Sequence, residues 1–154
     1  MLLSLMIMAG FNSKTSPYAP LDVYTDGASR GNPGLAAYGF IFVRTNEIIF
    51  EESKTIGKTT NNTAEYYAIL SALKRAQEFA RESVTVYSDS ELVIKQINNQ
   101  YRITKPHLAQ LRAELAIEEK KFRDIHFRNV PRENLFIRRC DELCNQALDR
   151  ETKV

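Results

Sequence analysis

Three β-rich runs come first in this chain, and only after them do helical and extended patterns alternate. Residues 21–26 form the first run, and 37–44 and 47–54 the next two, which Thr45-Asn46 alone separates, a hairpin signal. Between the first and second lies the turn-rich stretch 27–34, and residues 57–60 form a polar connection after the third. Asn61-Asn62-Thr63 then offers caps for a helix reaching to about residue 81, with Ala68, Ile69, Ala72, Leu73, Ala76 and Ala80 at helical spacing. A fourth strand over 84–88 leads directly into a helix over 90–98, and Pro106 opens another that runs to about 122. A fifth strand fits 125–130, and a last helix carries Cys140, Leu143, Cys144, Ala147 and Leu148. A meander followed by strand–helix alternation argues for an α/β protein with a mixed sheet and helices on its faces.

A length of 154 residues suits one domain with a real core. We expect a folded unit over 21–150, preceded by a loosely ordered extension over 1–20. The apolar run 1–8 is too short to span a bilayer and lacks the basic flank of a secretory signal. No other segment has the length and apolarity to cross a membrane, so a cytoplasmic location is expected. The net charge of +2 says little, but residues 120–139 hold seven Lys and Arg against two acids, a local excess of five. Most such runs are solvated faces; beside an acidic metal site this one suits phosphate tracking. Cys140 and Cys144, with no second pair and few histidines near, read as small packing residues rather than zinc ligands.

Four acids stand where their segments point inward. Asp26 ends the first β-rich run and Asp89 the fourth; Glu65 precedes Ala68, Ile69 and Ala72 on an apolar helix stripe, and Asp141 precedes Cys144 and Leu148 on another. An isolated buried carboxylate costs several kcal/mol, and two close together repel, unless cations neutralise them. Hard oxygen ligands favour Mg²⁺, or Mn²⁺, over zinc. Four acids can hold two ions about 4 Å apart, the arrangement that serves in-line displacement at phosphorus. The 27–34 loop, beginning at Gly27, can bring backbone N–H groups to a ligand, and Asn32, Thr60, Asn61, Asn62 and Ser90 are candidate donors to phosphate or ribose. Taken singly, each is an ordinary turn or cap residue.

With these motifs in order, the chain resembles type 1 ribonuclease H. The resemblance rests on Tyr24-Thr25-Asp26-Gly27-Ala28 with Gly31-Asn32-Pro33-Gly34, on Thr60-Asn61-Asn62-Thr63-Ala64-Glu65, on Ser88-Asp89-Ser90, and on Cys140-Asp141-Glu142-Leu143, and spans 21–149. It implies a five-stranded mixed sheet, three antiparallel strands then parallel ones, flanked by helices on both faces. It implies hydrolysis of the RNA strand of an RNA/DNA hybrid with two metal ions; Mg²⁺, or Mn²⁺, is the metal expected from the ligand chemistry, and a monomer is expected. Asp26 would bridge the ions, Glu65 and Asp89 complete one, and Asp141 help bind the other. Asn32, Asn61 and Asn62 would lie along the minor groove, with Thr60 near a DNA-strand phosphate. Two features depart from the pattern. Only residues 100–107 separate two helices where many relatives carry a basic protrusion, and no histidine follows His126, which falls in a strand and reads as structural. Two other readings are a non-catalytic nucleic-acid-binding module and a nuclease of the same fold acting on double-stranded RNA or DNA.

Overall fold

The computed structural model describes residues 16–152. Five strands, β1 (Leu21–Gly31), β2 (Gly34–Arg44), β3 (Glu47–Thr59), β4 (Ser83–Ser88) and β5 (Asp124–Asn129), form one sheet in the order β3-β2-β1-β4-β5. The first three are antiparallel, and β4 and β5 join parallel to β1 and to each other. The helices are α1 (Asn61–Ala76), α2 (Glu91–Ile97), α3 (Pro106–Glu119) and α4 (Leu135–Thr152). The mixed sheet with helices on both faces is therefore as expected.

Local chemistry accounts for most boundaries. Thr45 and Asn46 both take positive φ, the requirement of a tight hairpin turn that matches strand twist. Thr60 caps α1 by accepting from the Thr63 N–H, and Ser90 caps α2 by accepting from Val93. Asn134 accepts from the N–H groups of Phe136 and Ile137 and so opens α4. The stretch 27–34, expected to be a loop, is instead a hairpin. Strand β1 continues past Asp26 and pairs with β2 as far as Gly31 opposite Gly34, around a cis Asn32–Pro33 bond. Similarly, β3 runs on through 57–59.

Apolar side chains divide between the two faces. Leu21, Val23, Val84 and Val86 join Ile69 and Leu73 of α1 and Leu111 and Leu115 of α3 in the larger core. Tyr24, Ile41 and Val43 face the other way, against Ile137, Cys140 and Leu143 of α4. With both faces covered, β2 is buried along nearly its whole length. Residues 1–15 of the expected loose extension lie outside the described residues. Within residues 16–20, Pro17 accepts from the Arg81 N–H, and the buried Arg44 guanidinium donates to the carbonyls of Ala19, Pro20 and Phe79. No helix among the described residues is long and apolar enough to cross a membrane.

Two glycines set the distance of helices from the sheet. A Cβ on Gly27 would lie 2.2 Å from the Ala64 carbonyl carbon in the first turn of α1. A Cβ on Gly39 would lie 2.7 Å from the Cys140 oxygen in α4. Both helices thus touch bare backbone, α1 on one face and α4 on the other. Gly27→Ala should push α1 off β1 and lower stability by about 2–4 kcal/mol, read as a shift in the urea midpoint.

Candidate active site

Strand β4 pairs with β1 only as far as Tyr24 opposite Tyr87, while β1 goes on beside β2. At the point where they separate, Asp26 projects from β1 and Asp89 follows the last residue of β4. Asp26 is therefore not at a strand end, as its sequence context suggested; it lies inside β1, opposite Gly39, just past the end of the parallel pairing. Glu65 arrives from just past the first turn of α1, which lies close enough because Gly27 has no side chain. Carboxylate oxygens of Asp26, Glu65 and Asp89 all lie within 4.8 Å of one another. Asp26 and Glu65 are buried, Asp89 is partly so.

Asp141 stands differently. Its helix buries Cys140, Leu143 and Cys144, and Asp141 is exposed beside that stripe rather than on it. It still lines the same open cleft of about 480 Å³ as the other three acids, together with Gly27, Asn61, Asn62 and Ser90. The four expected ligands thus share one cleft, three as a tight cluster and the fourth at its wall.

The cluster is electrostatically uncomfortable without a cation. Burial, then the neighbouring Asp89 charge, raise the Asp26 pKa to about 7, against relief from hydrogen bonds to Glu65 and the Gly27 backbone. Burial and the charges of Asp26 and Asp89 push Glu65 well above the usual carboxylate range. Three crowded carboxylates, with no nitrogen or sulfur ligand among them, suit a hard divalent cation. The cysteines are not ligands. Cys140 donates to the Tyr24 carbonyl and Cys144 to that of Asp26, so both thiols fasten α4 to β1 from behind the site. Burial pushes both thiols up, which suits inert packing groups.

The expected substrate contacts are partly occupied within the protein. The Asn61 side-chain oxygen accepts from both the backbone N–H and the hydroxyl of Ser29, at 2.9 and 2.8 Å. The Asn32 side-chain oxygen accepts from the Asn61 N–H, which fastens the β1–β2 hairpin tip to α1. Thr60 is the α1 cap, and its hydroxyl meets that of Thr63, which in turn lies 3.2 Å from Nε2 of His107. Ser90 is the α2 cap and lines the cleft; Gly27 is buried and serves chiefly helix packing.

The basic run separates into parts with different work. Arg132 and Arg138 line the cleft, Arg132 with its Nε 3.6 Å from Asp89. Lys121 pairs with Glu118, and Arg123 with Glu82. Arg139, part of the 120–139 run expected to suit phosphate tracking, is a clamp: it grips both oxygens of Glu51 on β3, at 2.6 and 3.0 Å, and also bonds Glu142. Glu51 is 88 residues away in sequence, which is why the run alone did not separate the two arginines. His126 is exposed on β5 beside Asp124, at 2.9 Å. Sequence reasoning missed Ser29, His107 and the position of Arg132; only their contacts mark them.

A five-stranded mixed sheet with an acidic cleft at the fork of two parallel strands defines the class of ribonuclease H-like proteins. The chain belongs to the RNase H family, whose model matches residues 19–148. It is 40% identical over 127 residues to the ribonuclease HI of Halobacterium salinarum, covering 82% of this chain and 63% of that relative. It is 35% identical over 130 residues to a bifunctional protein of Mycobacterium tuberculosis, of which it spans 35%. The crystal structure of RNase H1 from H. salinarum superposes with a TM-score of 0.80 at 38% identity, covering 85% of this chain and 98% of that one. LC11-RNase H1, solved in complex with an RNA/DNA hybrid, gives 0.81 at 36% identity, covering 86% and 99%.

The raised Asp26 pKa has a definite sign. Between about pH 4 and pH 7 the folded protein holds a proton that the unfolded chain has released, so stability falls as pH rises through that window. In EDTA at pH 8, Asp26→Asn should melt higher than the unsubstituted protein, by an amount on the order of a few kcal/mol. The gap should close as pH falls toward 4, and adding Mg²⁺ at pH 8 should raise only the unsubstituted protein strongly. Scanning calorimetry across pH with and without metal checks this.

Proposed function

We propose that this chain is a metal-dependent endonuclease that hydrolyses the RNA strand of RNA/DNA hybrids, with two Mg²⁺ ions as cofactor and Mn²⁺ as the alternative. The observation that carries the reading is the cluster of Asp26, Glu65 and Asp89, with oxygens within 4.8 Å, opening on a cleft lined by amide donors and arginines. Asp26, Glu65 and Asp89 would hold the cations, with Asp141 as the exposed ligand at the wall. When bound, divalent cations supply the positive charge that an in-line displacement by water at phosphorus requires. The protein's own groups do the rest. Burial of Asp26 and Glu65 keeps the site poor in competing water, so the carboxylates bind cations strongly. Asn61 and Asn62 orient the duplex from the α1 side, and Arg132 and Arg138 attract its phosphates from the α4 side.

A binding module gains nothing from three carboxylates that repel phosphate, which speaks against the non-catalytic reading. Among duplexes, the hybrid is favoured because LC11-RNase H1, at 36% identity, was solved with one. A monomeric, cytoplasmic protein remains part of the proposal, and the two free buried cysteines agree with a reducing compartment.

A panel of RNA/DNA, RNA/RNA and DNA/DNA duplexes with Mg²⁺, Mn²⁺ or EDTA tests the reading; cleavage confined to the hybrid and abolished by EDTA is expected, and preferential cutting of another duplex overturns it. Asp26→Asn and Asp89→Asn should each lower the hybrid cleavage rate about a thousandfold or more, the loss of several kcal/mol of charge stabilisation, while gel-shift affinity largely survives.

The two arginines should differ. Arg138→Ala should flatten the salt dependence of hybrid binding by about one phosphate contact. Arg139→Ala should leave that slope alone and lower the melting temperature, because it breaks the clamp to Glu51.

A further inference from the structure

We infer that Arg132 is the built-in counter-ion of Asp89 and competes with divalent cations for it, so that this residue sets how much metal the site needs. The inference rests on the proposed metal-binding role of the acidic cluster. Among the described residues, Arg132 is the only basic side chain paired with any of Asp26, Glu65 and Asp89; its Nε lies 3.6 Å from Oδ2 of Asp89.

The backbone beneath Arg132 is fixed close to that carboxylate. Val130 donates its N–H to the Ser88 carbonyl at 3.0 Å, and the Asn129 side chain donates to the same oxygen. Asn134 closes the turn by donating its N–H to the Pro131 carbonyl, while its side chain opens α4. The residue before Asp89 and the residues on either side of Arg132 are therefore stitched together, and only the arginine side chain is free to move. That side chain is 88% exposed, whereas the Asp89 side chain is 13% exposed. A separation of 3.6 Å is too long for a hydrogen bond, so charge alone holds the pair. The contrast is with Arg139, which donates two hydrogen bonds to Glu51, at 2.6 and 3.0 Å. One arginine is a permanent clamp and the other an exchangeable partner. An exposed pair of this kind is weak, but it opposes cation binding twice. Asp89 must give up its partner, and the displaced guanidinium stays tethered nearby. Attraction of phosphates, by contrast, has no bearing on metal binding when nucleic acid is absent.

The experiment is a Mg²⁺ titration of the full chain without nucleic acid, followed by amide chemical shifts. At low salt Arg132→Ala should tighten Mg²⁺ binding about two- to fivefold, and Arg132→Lys, which keeps the charge, should stay within about twofold of the unsubstituted protein. In about 1 M salt, where charges are screened beyond about 3 Å, the gain should vanish. Arg138→Ala, which removes a cleft arginine outside this pair, should tighten binding less than Arg132→Ala at low salt. Unchanged or weaker Mg²⁺ binding in Arg132→Ala overturns the inference. An equal gain in Arg138→Ala overturns it too, by assigning the effect to the general field of the cleft, as does an equal gain in Arg132→Lys. Failure of the unsubstituted protein to bind Mg²⁺ overturns the proposed metal site, and this inference with it.

Discussion

The first turn of α1 lies against β1 where no side chain fits between them, and the site depends on that contact. A methyl group on Gly27 would overlap the Ala64 carbonyl and the Glu65 nitrogen. Without it, the helix sits on bare backbone and carries the Glu65 carboxylate to Asp26. On the other face, Gly39 gives α4 the same close seat, and the Cys140 and Cys144 thiols secure it by donating to β1 carbonyls. The strand that bears Asp26 is thus held from both sides at the level where β1 and β4 part.

That rigid seat keeps together groups that repel. Burial and mutual charge raise Asp26 and Glu65, and the surrounding core supplies the stability that holds them there. The conflict between local stability and clustered acids is characteristic of a site built to bind rather than to fold. Arg132, reaching Asp89 from the β5–α4 turn, offsets part of the charge from the exposed side.

Much of this was legible along the chain. Thr45-Asn46 announced its hairpin, Thr60 and Ser90 stand next to the helices they cap, and the spacing from Glu65 to Ala68, Ile69 and Ala72 placed that acid on the buried face. The failures share a cause. Residues 27–34 are rich in turn formers, yet β2 offers a continuous partner and they zip into a hairpin. Asp141 matched an apolar spacing, but the packed stripe of α4 runs through Cys140, Leu143 and Cys144 and leaves Asp141 outside it. Arg139 looked like its neighbour Arg138 until Glu51, on a distant strand, claimed it.

By itself the sequence determined which elements form and which residue types are available: period, caps and turns are short-range properties, and so are motifs. Only the tertiary structure decided which acids share a cluster, which arginine faces the cleft and which way the Asn61 amide points. Those outcomes turn on contacts between segments tens of residues apart, such as Gly27 with Ala64 or Ser29 with Asn61, where a fraction of an ångström separates a hydrogen bond from a clash.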